Sequence, residues 1–132
     1  PLTVYGKGGQ TRGYLNIKDT LNCVRLALKN PPDRGDLRIF NQFTETFSVN
    51  ELADKVRQAG RQLGLDAKIE NIENPRIEAE EHYYNPVHTG LLDLGLTPHY
   101  LSDKDLVEMM ELVKTHKSRI QADQIYRNIK WA

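Results

Sequence analysis

Tyr5-Gly6-Lys7-Gly8-Gly9-Gln10-Thr11-Arg12-Gly13-Tyr14-Leu15-Asn16-Ile17-Lys18-Asp19 is the stretch on which the reading of the fold turns. It runs from a glycine-rich loop into a short alternating strand over residues 13–17. A helix is then expected to begin at Asp19 or Thr20. The glycines and Lys7 invite comparison with a phosphate-cradling loop. However, neither G-x-x-x-x-G-K-[ST] nor G-x-G-x-x-G occurs here. Two readings stay open: a turn whose glycines permit positive φ, or an anion site. Arg12 favours the second, because a planar guanidinium binds phosphate in bidentate fashion. Gln10 shares its side-chain parity in an extended segment, so both side chains could face one ligand.

Downstream, helical and strand-like segments alternate. The first helix carries Leu21, Val24 and Leu28 at helical spacing, with Cys23 and Ala27 beside them. Pro31-Pro32 stops it, and 33–35 makes a turn. Residues 37–41 read as a second strand. Ser48 and Glu51 form an S-x-x-E capping box for a helix with the face Leu52, Val56, Ala59 and Leu63, ended by Gly64. A third strand is expected over 67–72, a short helix within 87–94 ended by Gly95, and another helix from Ser102 and Asp105 carrying Leu106, Met109, Met110 and Val113. The tail, 120–132, is weakly amphipathic. The alternation predicts an α/β architecture, with no internal repeat.

The chain has 132 residues, 39% of them apolar, with 18 basic and 18 acidic side chains. Neutral balance argues against a nucleic-acid binder, which shows a basic excess. The single cysteine, Cys23, rules out an intrachain disulfide and reads as a small core residue. No run approaches the ~20 apolar residues of a membrane span, so no membrane insertion is expected. The first residue is Pro1, not Met, and an upstream portion is expected.

Other candidates weigh less. Arg76 follows Asn74-Pro75; taken alone it reads as a surface arginine, like Arg34, Arg38, Arg57 and Arg61. Glu78, Glu80, Glu81, His82 and His88 match no zinc spacing, so no metal site is expected. Tyr126 and Lys130 give Y-x-x-x-K, read as a chance spacing because no nucleotide fingerprint precedes it. No catalytic residue is assigned within the chain.

The opening stretch resembles the segment of extended short-chain dehydrogenases/reductases (the NAD-dependent epimerase/dehydratase family) that act on nucleotide sugars. That family shows Tyr-Gly-x-Gly-x-Gln-x-Arg followed by a helix-initiating Asp. Four further landmarks follow in order: Arg38-Ile39-Phe40-Asn41, the Ser48-capped helix, Arg76 after a proline turn, and Leu94-Gly95-Leu96-Thr97-Pro98. The string Asn74-Pro75-Arg76-Ile77-Glu78-Ala79-Glu80-Glu81-His82-Tyr83-Tyr84-Asn85 resembles the branch that adds sulfite to a UDP-sugar. Gly13-Tyr14 and Phe40-Asn41-Gln42-Phe43-Thr44-Glu45 agree with it.

The resemblance implies a C-terminal part of such an enzyme: the end of a Rossmann-type sheet plus the small substrate-binding subdomain across 1–132. It implies UDP-glucose and sulfite as substrates, and NAD bound by an N-terminal region outside this chain. By that implication Gln10, Thr11, Arg12 and Arg76 reach the UDP, and Glu78 or His82 orders the surrounding loop. It further implies a homodimer for the full-length protein, in the chloroplast of a plant or alga or the cytoplasm of a bacterium. An epimerase or dehydratase, or a non-catalytic nucleotide-binding module, is the alternative. Without its sheet partners the isolated chain is expected to expose apolar strand edges and to be inactive alone.

Overall fold

The computed structural model describes residues 1–74 and 85–121. In chain order the elements are β1 (Leu2–Tyr5), β2 (Thr11–Tyr14), α1 (Ile17–Lys29), β3 (Glu45–Ser48), α2 (Val49–Gln62), β4 (Ile69–Ile72), α3 (Gly90–Asp93) and α4 (Asp103–Thr115), followed by a 3-10 turn, Lys117–Arg119. The class is α/β. The described residues form two compact units, one of 1–10, 48–74 and 102–121, the other of 11–47 and 85–101.

In the first unit β1 lies parallel to β4, with Leu2 opposite Ile69 and Tyr5 opposite Ile72. Helix α2 packs on both strands and on α4. Val4, Ala59 and Leu106 are the buried apolar residues here. Gly60 lets the two helices approach: a Cβ there would stand 3.3 Å from the Met110 Cε. The expected α2 face is the one observed, with Leu52, Val56 and Leu63 half-buried around Ala59. Arg57, expected on a solvated face, is half-buried and pairs with Asp54 at 2.6 Å.

Both expected helix starts are capped. The Ser48 hydroxyl accepts from the Glu51 amide while the Glu51 carboxylate accepts from the Ser48 amide at 2.7 Å, and Ser102 and Asp105 repeat the arrangement. Gly64, just beyond α2, has φ 73°, the left-handed cap its position requires. The strand β1 has no counterpart in the sequence reading. Its signal is the parallel pairing with β4, which lies far along the chain.

In the second unit Cys23, Leu91 and Leu96 form the core, with Leu15, Leu26, Phe40 and Leu94 packed against them. Strands β2 and β3 form a two-stranded sheet. Asn16 caps α1 by accepting from the Lys18 amide at 3.0 Å. The helix therefore starts at Ile17, earlier than expected, and β2 lies two residues earlier than expected. Cys23 is fully buried, as expected, but the rest of the buried face of α1 differs: Asp19 is fully buried, whereas Ile17, Leu21, Val24 and Leu28 are 73%, 70%, 50% and 77% exposed. The helix carries two apolar stripes, and the α3 segment covers the one containing Cys23.

Residues 37–41 are not a strand. A strand needs a ladder partner, and none pairs with this segment among the described residues. Leu37 and Ile39 are exposed, while Phe40 turns inward and the Asn41 amide donates to the Val87 carbonyl. Among the described residues no helix is long and apolar enough to cross a membrane.

Gly8→Ala should lower stability by about 2–4 kcal/mol in urea denaturation. Gly8 has φ 71°, and an added Cβ would lie 2.2 Å from the Asn50 Oδ1 and 2.6 Å from the Val4 Cγ1. Gly9→Ala, where nothing lies within 4 Å, should stay within about 0.5 kcal/mol of the parent. The Ser48 amide and hydroxyl hold the Glu51 carboxyl below its ordinary pKa. The stabilisation by Glu51 is therefore present above the unfolded carboxylate pKa and is lost as pH falls through the depressed folded value. In Ser48→Ala, an NMR titration should find the Glu51 pKa moved back up.

Candidate functional site

The glycine loop is held from below by two asparagines. The Asn71 side-chain amide donates to the Gly6 carbonyl and the Asn50 side-chain amide to the Lys7 carbonyl, each at 2.8 Å. The Asn50 backbone amide donates to the Gly8 carbonyl at 3.0 Å, and the Gly6 amide to the Ile72 carbonyl at 2.8 Å. Gly6 and Gly8 have φ 63° and 71°. The glycines thus serve a fixed turn that joins β1 to the first turn of α2 and to β4. The space that a Cβ would take at Gly8 is filled by Asn50 and Val4. The positive φ that the conformational reading expects is present at Gly6 and Gly8.

At the end of this loop the Gln10 side-chain oxygen is buried and has no hydrogen-bond partner among the described residues. A buried acceptor left unpaired costs about 1–3 kcal/mol, so a donor arriving there would be favourably received. Thr11 and Arg12 begin β2 and are half-buried. An Arg12 guanidinium nitrogen donates to the Thr11 carbonyl at 3.0 Å. Gln10 ends the opening segment of the first unit, and Thr11 and Arg12 open the second. Arg76, Glu78 and His82 lie outside the described residues, as do Tyr126 and Lys130.

A second constellation escaped the sequence reading. Asp19, with no exposed surface, receives the His99 backbone amide on one oxygen and faces the His99 Nδ1 with the other, both at 2.6 Å. Two residues on, the Leu101 amide donates to the Glu45 carboxylate at 2.7 Å. Two carboxylates thereby clamp the segment that follows Leu94-Gly95-Leu96-Thr97-Pro98. The half-exposed His99 ring lets the pair reach solvent at one end. Cys23 lies one turn beyond Asp19. Burial, and then the Asp19 charge, push its thiol pKa up, which keeps it protonated and unreactive. The available signal was the spacing of Asp19, Cys23 and Leu26 on one stripe, an acid within an apolar face.

His88 stacks on Phe43 with ring centroids 4.2 Å apart. Among the described residues no three His, Cys, Asp or Glu side chains are grouped to hold a metal ion.

The strand–helix alternation, the glycine turn leading into Gln-x-Arg and the Asp that anchors α1 fit part of an extended short-chain dehydrogenase/reductase. No family model matches the chain. Over 131 residues, 99% of this chain, it is 53% identical to the chloroplastic UDP-sulfoquinovose synthase of Spinacia oleracea. Over 121 residues, 92% of the chain, it is 46% identical to the UDP-sulfoquinovose synthase of Sulfolobus acidocaldarius. These matches cover 27% and 31% of the two relatives, so the chain spans about a third or less of their length. Over nearly its whole length the chain is thus similar to a stretch of two UDP-sulfoquinovose synthases.

Asp19→Asn should lower stability by about 1.5–3 kcal/mol, the scale of hydrogen bonds made to a charged group. It should also lower the Cys23 thiol pKa by removing the neighbouring negative charge. An NMR titration that follows the Cys23 Cβ chemical shift in the folded protein checks the second effect independently of the first.

Proposed function

We propose that the chain is the UDP-sugar-binding part of a UDP-sulfoquinovose synthase, in which UDP-glucose and sulfite give UDP-sulfoquinovose. The observation that carries this reading is identity of 46–53% along nearly the whole chain to two proteins of that name. In this reading 1–132 supplies the end of the Rossmann-type sheet and the substrate subdomain. NAD is held by a region outside these residues. The full-length protein is a homodimeric enzyme, chloroplastic if its source is a plant, as the spinach relative's name states of that protein.

Within this chain the task is recognition of the nucleotide. Arg12 and Arg76 pair with the diphosphate, matching a planar fork to phosphate oxygens. Gln10 contributes its unpartnered amide oxygen to a hydroxyl or amide donor of the ligand, and Thr11 adds a hydroxyl. Glu78 and His82 order the loop around it. The string from Asn74 to Asn85 favours the sulfite-adding branch over an epimerase or dehydratase.

Calorimetric titration of UDP into the full-length protein tests the assignment. Arg12→Ala and Arg76→Ala should each weaken binding by roughly tenfold to a hundredfold, the equivalent of about 1.5–3 kcal/mol per charge-assisted contact. Unchanged affinity in both variants would remove these arginines from the diphosphate site.

A further inference from the structure

Arg12 lies on β2, and among the described residues β2 pairs with β3 alone. A two-stranded sheet is marginal by itself, so the placement of Arg12 depends on what else holds the two strands. At one end the Thr44 amide donates to the Tyr14 carbonyl at 2.9 Å, at the entry to β3. Beyond Tyr14 a single residue, Leu15, leads to Asn16, whose backbone carbonyl accepts from the Asp19 and Thr20 amides at 2.9 and 3.0 Å. The strand therefore passes almost directly into the first turn of α1.

Residues 99–101 tie these two attachments to each other. The His99 amide and ring meet Asp19, in the first turn of α1, and the Leu101 amide meets Glu45, the first residue of β3. One short strip thus joins the helix that continues β2 to the strand that pairs with it. Arg12, Asp19, Glu45, His99 and Leu101 all belong to the second unit. The Asp19 end of the strip is the less yielding. Its carboxylate has no exposed surface and both of its contacts are 2.6 Å, short distances of the charge-assisted kind. Moving the first turn of α1 would leave that carboxylate unsatisfied where water does not reach it.

The two bonds at Asp19 are separable. The His99 backbone amide remains whatever the side chain, and the ring adds one donor. A carboxylate oxygen accepts, so the imidazole donates from Nδ1. We propose that His99 is a positioning residue for Arg12: acting through Asp19 and the first turn of α1, it holds β2 so that the guanidinium meets the diphosphate squarely. A paired fork is sensitive to such placement, because hydrogen bonds weaken steeply as their angles close. The proposal rests on the assignment of Arg12 to the diphosphate.

A double-mutant cycle on the full-length protein, read by calorimetric titration of UDP, tests it. His99→Ala should weaken UDP binding about threefold to tenfold, the range of one hydrogen bond. His99→Asn, whose amide nitrogen can stand where Nδ1 stood, should restore most of the affinity. In an Arg12→Ala background His99→Ala should add almost no further loss, since residues acting through one another are not additive. Leu91→Val, which loosens the same core away from the carboxylate, should lower the melting temperature and leave UDP affinity unchanged. Unaltered affinity in His99→Ala would overturn the proposal. So would equal losses from His99→Ala in both backgrounds, no recovery in His99→Asn, or a loss in Leu91→Val as large as in His99→Ala. An Arg12→Ala single variant that binds UDP normally would instead remove the diphosphate assignment, and this proposal with it.

Discussion

At Gly8 the backbone and the first turn of α2 come so close that a methyl group would lie 2.2 Å from the Asn50 side-chain oxygen. Much of the first unit follows from that approach. Asn50 can reach the Lys7 and Gly8 carbonyls because nothing projects from residue 8. Those bonds fix the end of β1 against the start of α2. The same turn returns the Gly6 amide to the last residue of β4, so one tight loop organises two strands and a helix. The residues that follow, Gln10 to Arg12, leave a scaffold whose backbone polar groups are already engaged.

Asp19 plays the corresponding part in the second unit. A fully buried carboxylate is tolerated only when its oxygens are satisfied. Here the His99 backbone amide and imidazole meet them. The cost of stranding that charge makes the register of the 94–101 segment specific, in a way that apolar contacts among Leu91, Leu94 and Leu96 alone would not. Non-directional packing tolerates sliding, whereas a carboxylate with two fixed donors does not.

Local chemistry in the chain was read well and distant pairing was not. The Ser48–Glu51 and Ser102–Asp105 caps, the α2 face and the glycine at its end all depend on residues within a few positions of one another. Each is observed as expected. The strand β1, the irregular course of 37–41 and the clamp on Asp19 depend on partners tens of residues away, about which periodicity is silent. The α1 stripe is an instructive case. Leu21, Val24 and Leu28 form the better helical pattern, yet Asp19 and Cys23 are buried, because the segment that packs there supplies donors for a carboxylate. At the candidate site, Gln10 and Arg12 were legible as polar side chains beside a glycine turn. Spacing left a phosphate cradle and a conformational turn open, and said nothing of Asn50, the distant partner that holds the loop through the Lys7 and Gly8 carbonyls.

The pairing of β1 with β4 joins residue 2 to residue 69, and this has a consequence in time. Closing so long a loop is entropically costly before any ladder bond forms. Helix α2, nucleated by its own cap and held by local bonds, can form first and present the surface on which both strands meet. On a ribosome β1 emerges long before β4. Their pairing waits through the synthesis of both intervening helices, so the most local feature of this unit, the Ser48 cap, precedes its most distant one.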